Sequence, residues 1–427
     1  MVFMKANIVI NKITQLIPVD EIKGPRRGIE MKNIRKIEDG IIAIYNNKII
    51  YVGSGELPDH IQTDNDTIFI DGSGKTVLPG FVDAHTHLVH GGSRENELKM
   101  KLEGMSYMEI LKSGGGILSS VKATKKATEE ELAEKAMKVL DRMLKMGTTT
   151  VEAKSGYGLD VESEIKQLKV ANKLNDVHPV DIVSTFLGAH AVPNEYKDDV
   201  DGFVEVVIND MIPKVSEQKL ATFCDVFCEE GVFNIEQSKK ILEAGKEHGL
   251  TPKIHADELY PMGGAQLSAQ VGALTADHLA AAEEEGLLAM QREGVIANLL
   301  PGTSFNLNVG KYACGRQMID MGLPVALSTD YNPGSCPTEN IQLIMYLASL
   351  KYKMTAEEVI SAVTINGASA LGLQEKIGSL ETDKNADIVI LDVPNIDYIL
   401  YHFGINHVDT VIKNGKIVVS DRKLIKE

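Results

Sequence analysis

Two histidines one residue apart, His85 and His87, follow a Pro79-Gly80 turn and a short apolar run, Phe81-Val82-Asp83-Ala84. Side chains alternate faces along a strand, so both imidazoles would point the same way, with Cα atoms roughly 6.5 Å apart. A metal ion with M–N bonds of about 2.0–2.1 Å can bridge such a pair. His-x-His alone fits two half-exposed loop histidines equally well, so the remaining polar residues decide. Lys154, Tyr157, His190, His255, Glu258, His278 and Asp330 all lie at, or just past, the ends of strand-like runs. His60, His90, His178, His248, His402 and His407 fall in turns, helical stretches or terminal segments and read as structural. Three imidazoles and a carboxylate with room for water suit Zn²⁺, Fe²⁺ or Fe³⁺, whereas Mg²⁺ would want more oxygen. Such an ion lowers the pKa of its water toward 7, and the reaction class that follows is metal-assisted hydrolysis.

These residues can meet only if the elements carrying them converge. Between Leu78 and about Leu373, eight short apolar runs read as strands: Phe81–His85, Thr148–Ala153, Ile182–Ala189, Thr222–Cys228, Thr251–Ala256, Leu274–Leu279, Val295–Leu299 and Pro324–Thr329. Amphipathic stretches such as Glu129–Met146, Glu162–Leu174, Asn234–His248 and Ala281–Glu293 separate them, which predicts a parallel sheet. Eight such units favour an α/β fold of (β/α)₈ TIM type over an open sheet, whose Gly-x-Gly-x-x-Gly signature is absent. In that barrel, polar residues at the C-terminal strand ends share one mouth.

Both ends of the chain carry hairpin grammar. Ile41–Tyr45 and Ile49–Val52 flank Asn46-Asn47-Lys48, while Ala386–Leu391 precedes Thr410–Lys413, an Asn414-Gly415 turn and Lys416–Val419. The run from Asn7 to about Thr76 reads as strand-like. Neither end can close a core alone, so residues 1–78 and 374–427 are expected to build one composite β-sandwich domain around a barrel of residues 79–373.

The formal charge of −16 argues against nucleic-acid or anionic-membrane partners and leaves room for a small-molecule substrate. No apolar run has membrane-spanning length and no secretory pattern opens the chain, so a cytoplasmic location is expected. Of four cysteines, Cys224 and Cys228 share one face of a core strand and suggest no disulfide framework. The Gly114-Gly115-Gly116 run follows a helical stretch and reads as a mobile loop near the exit of the first strand rather than a phosphate cradle.

Pro79-Gly-Phe-Val-Asp-Ala-His-Thr-His87, then His255, His278 and Ser328-Thr-Asp330, taken in order along the chain, resemble the amidohydrolase superfamily. Longer blocks narrow the resemblance: His87–Glu97, Ser113–Ile117, Glu152–Leu159, Phe186–Pro193, Ile254–Glu258 and Asp330–Cys336 are similar to the branch that opens an imidazolone ring in histidine degradation. The resemblance implies hydrolysis of the cyclic amide of 4-imidazolone-5-propanoate to N-formimino-L-glutamate by a homodimer. It also implies one Zn²⁺ or iron ion per chain on His85, His87, His255 and Asp330. Substrate contacts are implied for Arg94, Tyr157, His190, Glu258, Asn332, Gly334 and Ser335, and Tyr107 is a further pocket candidate whose alternative is core packing. Arg94 offers the fork a propanoate wants, Glu258 can carry a proton from water to the departing ring nitrogen, and His278 can hold the water or polarise the carbonyl. Either Glu258 or His278 is then the principal proton shuttle. Many binuclear members carry a carbamylated lysine, a position Lys154 could fill, but the pattern of the eighth strand favours one metal. The rival readings are a deaminase of cytosine or guanine type, a dihydroorotase-like cyclic amidase, and an inactive barrel serving as a scaffold, which should lack the ligands.

Overall fold

The short apolar runs of the middle of the chain form one sheet of eight parallel strands in consecutive order: Phe81–Asp83, Thr148–Lys154, Asp181–Ala189, Phe223–Cys228, Thr251–Ala256, Thr275–His278, Ile296–Leu299 and Val325–Leu327. This is a computed structural model, and it describes residues 4–105, 109, 114–308 and 310–425. The first and eighth strands close the ring through side chains and the backbone just beyond them. Asp83 accepts from Thr329 N and Oγ1 at 2.9 and 2.6 Å, and Ser328 Oγ accepts from Ala84 N at 3.1 Å. Past the strand ends, Asp330 N donates to His85 O at 3.0 Å and His87 N to Tyr331 O at 2.8 Å. The closure seam is therefore also the place where the His-x-His pair meets Asp330.

The outer helices show why the pattern folds this way. In Glu129–Lys145, Thr128 and Glu131 form a reciprocal N-terminal cap, and Arg142 and Lys145 face the negative end of the helix dipole. Leu132, Ala136, Val139, Leu140 and Met143, three or four residues apart, are buried against the sheet. Each large aliphatic side chain so buried contributes about 1.5–3 kcal/mol, and the cap about 1 kcal/mol.

The chain ends pair with each other. Thr76–Pro79 runs antiparallel to Ile388–Leu391, which pairs with Val408–Lys413, itself in a hairpin with Lys416–Ser420. A second sheet combines Ile8–Ile13, Gly40–Tyr45, Lys48–Ser54 and Ile68–Asp71. Ile8, Ile10, Ile42 and Ile44 of one sheet pack with Val77, Ile388, Ile390 and Ile412 of the other in one apolar cluster. Lys413 Nζ ties this region to the barrel, lying 2.6 Å from Asp387 and 2.6 Å from Asp181 at the start of the third barrel strand.

One stretch departs from the strand-like reading of the N-terminal residues. Beyond Gln15–Leu16 the chain leaves the sheets, makes a short helical turn at Gly28–Met31 and returns at Gly40. Pro18 and Pro25 have no N–H for a ladder. Ile17, Val19, Met31 and Ile34 instead pack into the barrel's own core, where Asn366 Oδ1 accepts from the backbone of buried Arg26 at 2.7 Å. Among the described residues, no helix is long and apolar enough to cross a membrane.

Candidate active site

At the C-terminal mouth of the ring, the imidazoles of His85, His87, His190, His255 and His278 form one packed group. His85 lies with its ring centroid 4.5 Å from that of His255, 5.4 Å from that of His87 and 5.5 Å from that of His278, and His87 stacks on His190 at 4.8 Å. Ring nitrogens of His85, His87 and His255 lie within 4.8 Å of one another, and His85, His278 and Asp330 form an overlapping group of the same size. Asp330 Oδ1 is 3.4 Å from His85 Nε2 and 3.6 Å from His87 Nε2. Burial pushes all five imidazoles toward the neutral form, with His190 and His278 lowered to about 4.

Two of the neutral rings have a carboxylate at their far nitrogen. His85 Nδ1 donates to Asp277 Oδ2 at 2.6 Å, and His255 Nδ1 lies 3.0 Å from Asp225 Oδ2, although out of line for a full hydrogen bond. His85 Nε2 and both nitrogens of His255 are buried without any hydrogen-bond partner, as is His87 Nδ1. Buried polar atoms with nothing to bond are rare and costly, and here they lie in one cluster, with a carboxylate beside His85 and His87. The donor set fits a tetrahedral or slightly expanded Zn²⁺ or iron site, with the carboxylates supplying the outer partners that fix each tautomer.

Lys154 lies at the end of the second barrel strand, beneath this cluster. Its Nζ is 2.6 Å from Asp225, 3.2 Å from Glu152 and 3.3 Å from Asp277. Burial works to lower its pKa, but the three carboxylates together outweigh it and hold the ammonium above the ordinary lysine value. A lysine so committed is a cationic keystone, and a carbamate at this nitrogen would place an anion among three others. Glu152 is shared with Lys253 Nζ at 2.7 Å and with Thr185 Oγ1 at 2.5 Å.

The proton-handling candidates lie beside the cluster. Glu258 follows the fifth strand, with Oε1 3.7 Å from His278 Nδ1. Burial first, then Asp330 and Glu229, pushes its carboxyl up to about 8. Burial also raises Asp330, to about 7, while Thr303 Oγ1 donates to its Oδ2 at 2.5 Å. His278 at φ 74° and Asp330 at φ 55° both hold left-handed backbone, a strained state that clusters at working sites.

Tyr157 is buried with its ring edge toward His87 and His190, at 5.7 and 5.3 Å. Its loop is shaped by buried Glu164, which accepts from the N–H groups of Gly156, Gly158 and Leu159 at 2.7–2.9 Å. Gly156 sits at φ +105°, and a Cβ there would come within 2.8 Å of His190 Nδ1, which donates to Gly156 O at 3.1 Å. His90 is buried close by, its Nδ1 2.8 Å from His87 O. On the eighth-strand loop, Asn332 bonds Asp330 O and Ser335 Oγ through Nδ2, and accepts from Gly334 N and Ser335 N through Oδ1. Arg94 forms a bidentate pair with Glu97, at 2.9 Å from Nε and 2.8 Å from Nη2. Glu97 also accepts from Gly116 N at 2.7 Å, so the last glycine of the Gly114–Gly116 run is anchored to the same carboxylate. Tyr107 lies outside the described residues.

Sequence reasoning passed over Asp225, Asp277, Glu152 and Glu164. A signal was present for the first two, since each is a lone acid inside an apolar strand, Phe-Cys-Asp-Val-Phe and Thr-Ala-Asp-His. Cys224 and Cys228 are buried and free, and Cys224 lies where a Cβ on Gly245 of helix Ile235–Glu247 would touch it.

Residues 76–418 match the model of the amidohydrolase family. A relative from Alkaliphilus metalliredigens named imidazolonepropionase is 58% identical over 99% of this chain and 100% of its own length. One of the same name from Thermoanaerobacter pseudethanolicus is 53% identical over 96% of this chain and 97% of its own. Among solved structures, a triazine hydrolase variant superposes with a TM-score of 0.74 at 18% identity, covering 98% of this chain and 96% of that one. A zinc-bound adenosine deaminase from Xanthomonas campestris gives 0.69 at 17% identity, covering 100% and 95%. At such identities the two structures speak for the fold alone.

Proposed function

The chain belongs to the amidohydrolase family and, within it, to the imidazolonepropionases, and from that premise we infer how its mouth residues open the ring of 4-imidazolone-5-propanoate to give N-formimino-L-glutamate. The observation that carries the reading is the buried cluster in which His85 shares one ligand group with His87 and His255 and an overlapping one with Asp330, while His85 Nε2 and His255 Nε2 have no hydrogen-bond partner. We assign one Zn²⁺ or iron ion per chain to these four residues. When bound, such an ion acts as a Lewis acid toward water and toward the ring carbonyl.

The chain's own groups do the rest. Asp277 and Asp225 hold His85 and His255 with Nε2 inward. Glu258, beside His278, in its ionised form takes a proton from the attacking water as oxygen bonds to the carbonyl carbon. It returns that proton to the ring nitrogen as the C–N bond breaks. His278 donates toward the carbonyl oxygen, Tyr157 and His190 wall the ring, and Arg94 binds the propanoate, with Asn332, Gly334 and Ser335 shaping the opposite side. Tail binding far from the reacting bond positions the ring, so its loss costs turnover as well as affinity.

The same reading extends to a cytoplasmic homodimer whose composite β domain comprises residues 1–78 and 374–427, around a barrel of residues 79–373. The shared apolar cluster of the terminal sheets supports the composite domain, and ultracentrifugation tests the dimer. The activity is tested by ultraviolet-monitored turnover of freshly generated imidazolonepropanoate, with metal content assayed on the same sample. Absence of turnover by metal-replete protein, alongside deamination of cytosine or guanine, would overturn it.

A further inference from the structure

Arg94 has five N–H donors in a planar fork, and the structure shows which are spent. Nε and Nη2 face Glu97 side-on at 2.9 and 2.8 Å. The outer edge, made by Nη1 and the second hydrogen of Nη2, is not used by that pair. Gly334 packs directly against the guanidinium: a Cβ built there would lie 2.1 Å from Nη1, 2.8 Å from Cζ and 3.3 Å from Nη2, too close to coexist with it. The backbone of Gly334 does not require glycine, because its φ lies outside the left-handed region. What the position lacks is a side chain, and that lack is what lets the guanidinium lie where it does. Gly334 lies four residues past Asp330 on the loop after the eighth strand, which sets this guanidinium beside the cluster.

We propose that Arg94 reads the substrate carboxylate with its outer fork, that Glu97 aims that fork by occupying the inner one, and that Gly334 is a specificity-determining position because any Cβ there displaces the guanidinium. This rests on the assignment of Arg94 to the propanoate. A guanidinium between two carboxylates can satisfy both, and the inner pair fixes a side chain that would otherwise sample many rotamers. Glu97 is a positioning residue: it is mostly buried, and it also holds Gly116 N. The loop after the first strand and the loop after the eighth are thereby set against each other across the tail of the substrate.

The test compares kcat/KM for imidazolonepropanoate with that for an imidazolone lacking the propanoate, each on metal-assayed enzyme. Arg94→Met should lower the preference for the tailed substrate by roughly ten- to a hundred-fold. Gly334→Ala should lower it by about as much, and Glu97→Ala by about three- to ten-fold, chiefly through KM, with partial recovery in Glu97→Gln. Arg94→Met/Gly334→Ala should be no worse than Arg94→Met alone, because the added methyl acts only through the fork. This double variant also guards against misfolding, which would lower activity on both substrates beyond Arg94→Met. If Arg94→Met is selective but Gly334→Ala and Glu97→Ala are not, the fork geometry is wrong and the carboxylate assignment stands. If Arg94→Met hurts both substrates equally, the carboxylate assignment itself fails.

Discussion

The histidine cluster and the Arg94 end of the site are a few side chains apart, yet they are held in opposite ways. The cluster depends on partners distant in sequence: His85 on Asp277, His255 on Asp225, and Lys154 spanning Asp225 and Asp277, with every member buried. Arg94 is held by Glu97, three residues along the same helix start, and remains partly exposed. The first arrangement is costly to disturb because its charges have no water to fall back on. The second can be retuned by single changes on one loop. Chemistry is thus built into the ends of the barrel strands, and recognition is hung on the loops beyond them.

That contrast can be broken experimentally, beginning where the effect should be greatest. His85→Ala should lose the metal and bring turnover to background together, by elemental analysis and ultraviolet assay. Two metals per chain in active wild-type enzyme, or full activity without any, would remove the one-ion cluster from the comparison. Glu258→Gln keeps the shape and should retain the ion while kcat falls by about 10²–10⁴-fold. A kcat within a few-fold of wild type would hand the proton to His278. Asp277→Asn leaves every inward ligand in place but weakens the acceptor for His85 Nδ1, so chelator competition should show metal affinity about 10–100-fold lower. Unchanged affinity would mean that the buried partners do not tune the cluster. Arg94→Met should leave metal affinity untouched and reduce kcat/KM for the tailed substrate by roughly ten- to a hundred-fold. If it instead releases metal, the two ends are one unit.

Much of this was visible in the sequence, for identifiable reasons. All eight barrel strands follow from apolar runs separated by amphipathic ones, because a strand buried on both faces reads as continuous Val, Ile and Leu. Boundaries were less legible: the first strand ends at Asp83, not His85, since its last ladder bonds go to Asp83–Thr329 side-chain contacts and to Tyr331. His85, His87, His255, His278 and Asp330 could be placed at one mouth because barrel geometry sends strand ends there. Their partnerships could not be read: Asp277 stands out as a lone acid in an apolar strand, but nothing local says that it pairs with His85, 192 positions away. The path of residues 17–39 was hidden for another reason: Ile17, Val19 and Ile34 carry strand-like propensity, and only packing against the barrel decides their use.

The pairing of Thr76–Pro79 with Ile388–Leu391 also sets a timetable. A ribosome adding about 5–20 residues per second takes roughly 15–60 s to pass from one strand to the other. Through that interval the early strands Ile8–Ile13 and Gly40–Tyr45 can form their own sheet, but Thr76–Pro79 lacks its partner and presents a bare ladder edge. Because Gly80 alone separates that strand from Phe81, the His85–His87 segment hangs from an anchor that is not yet docked. The order of birth along the chain therefore delays the finished catalytic mouth until almost the last residues have emerged, and places the nascent chain's aggregation hazard at its amino-terminal strands.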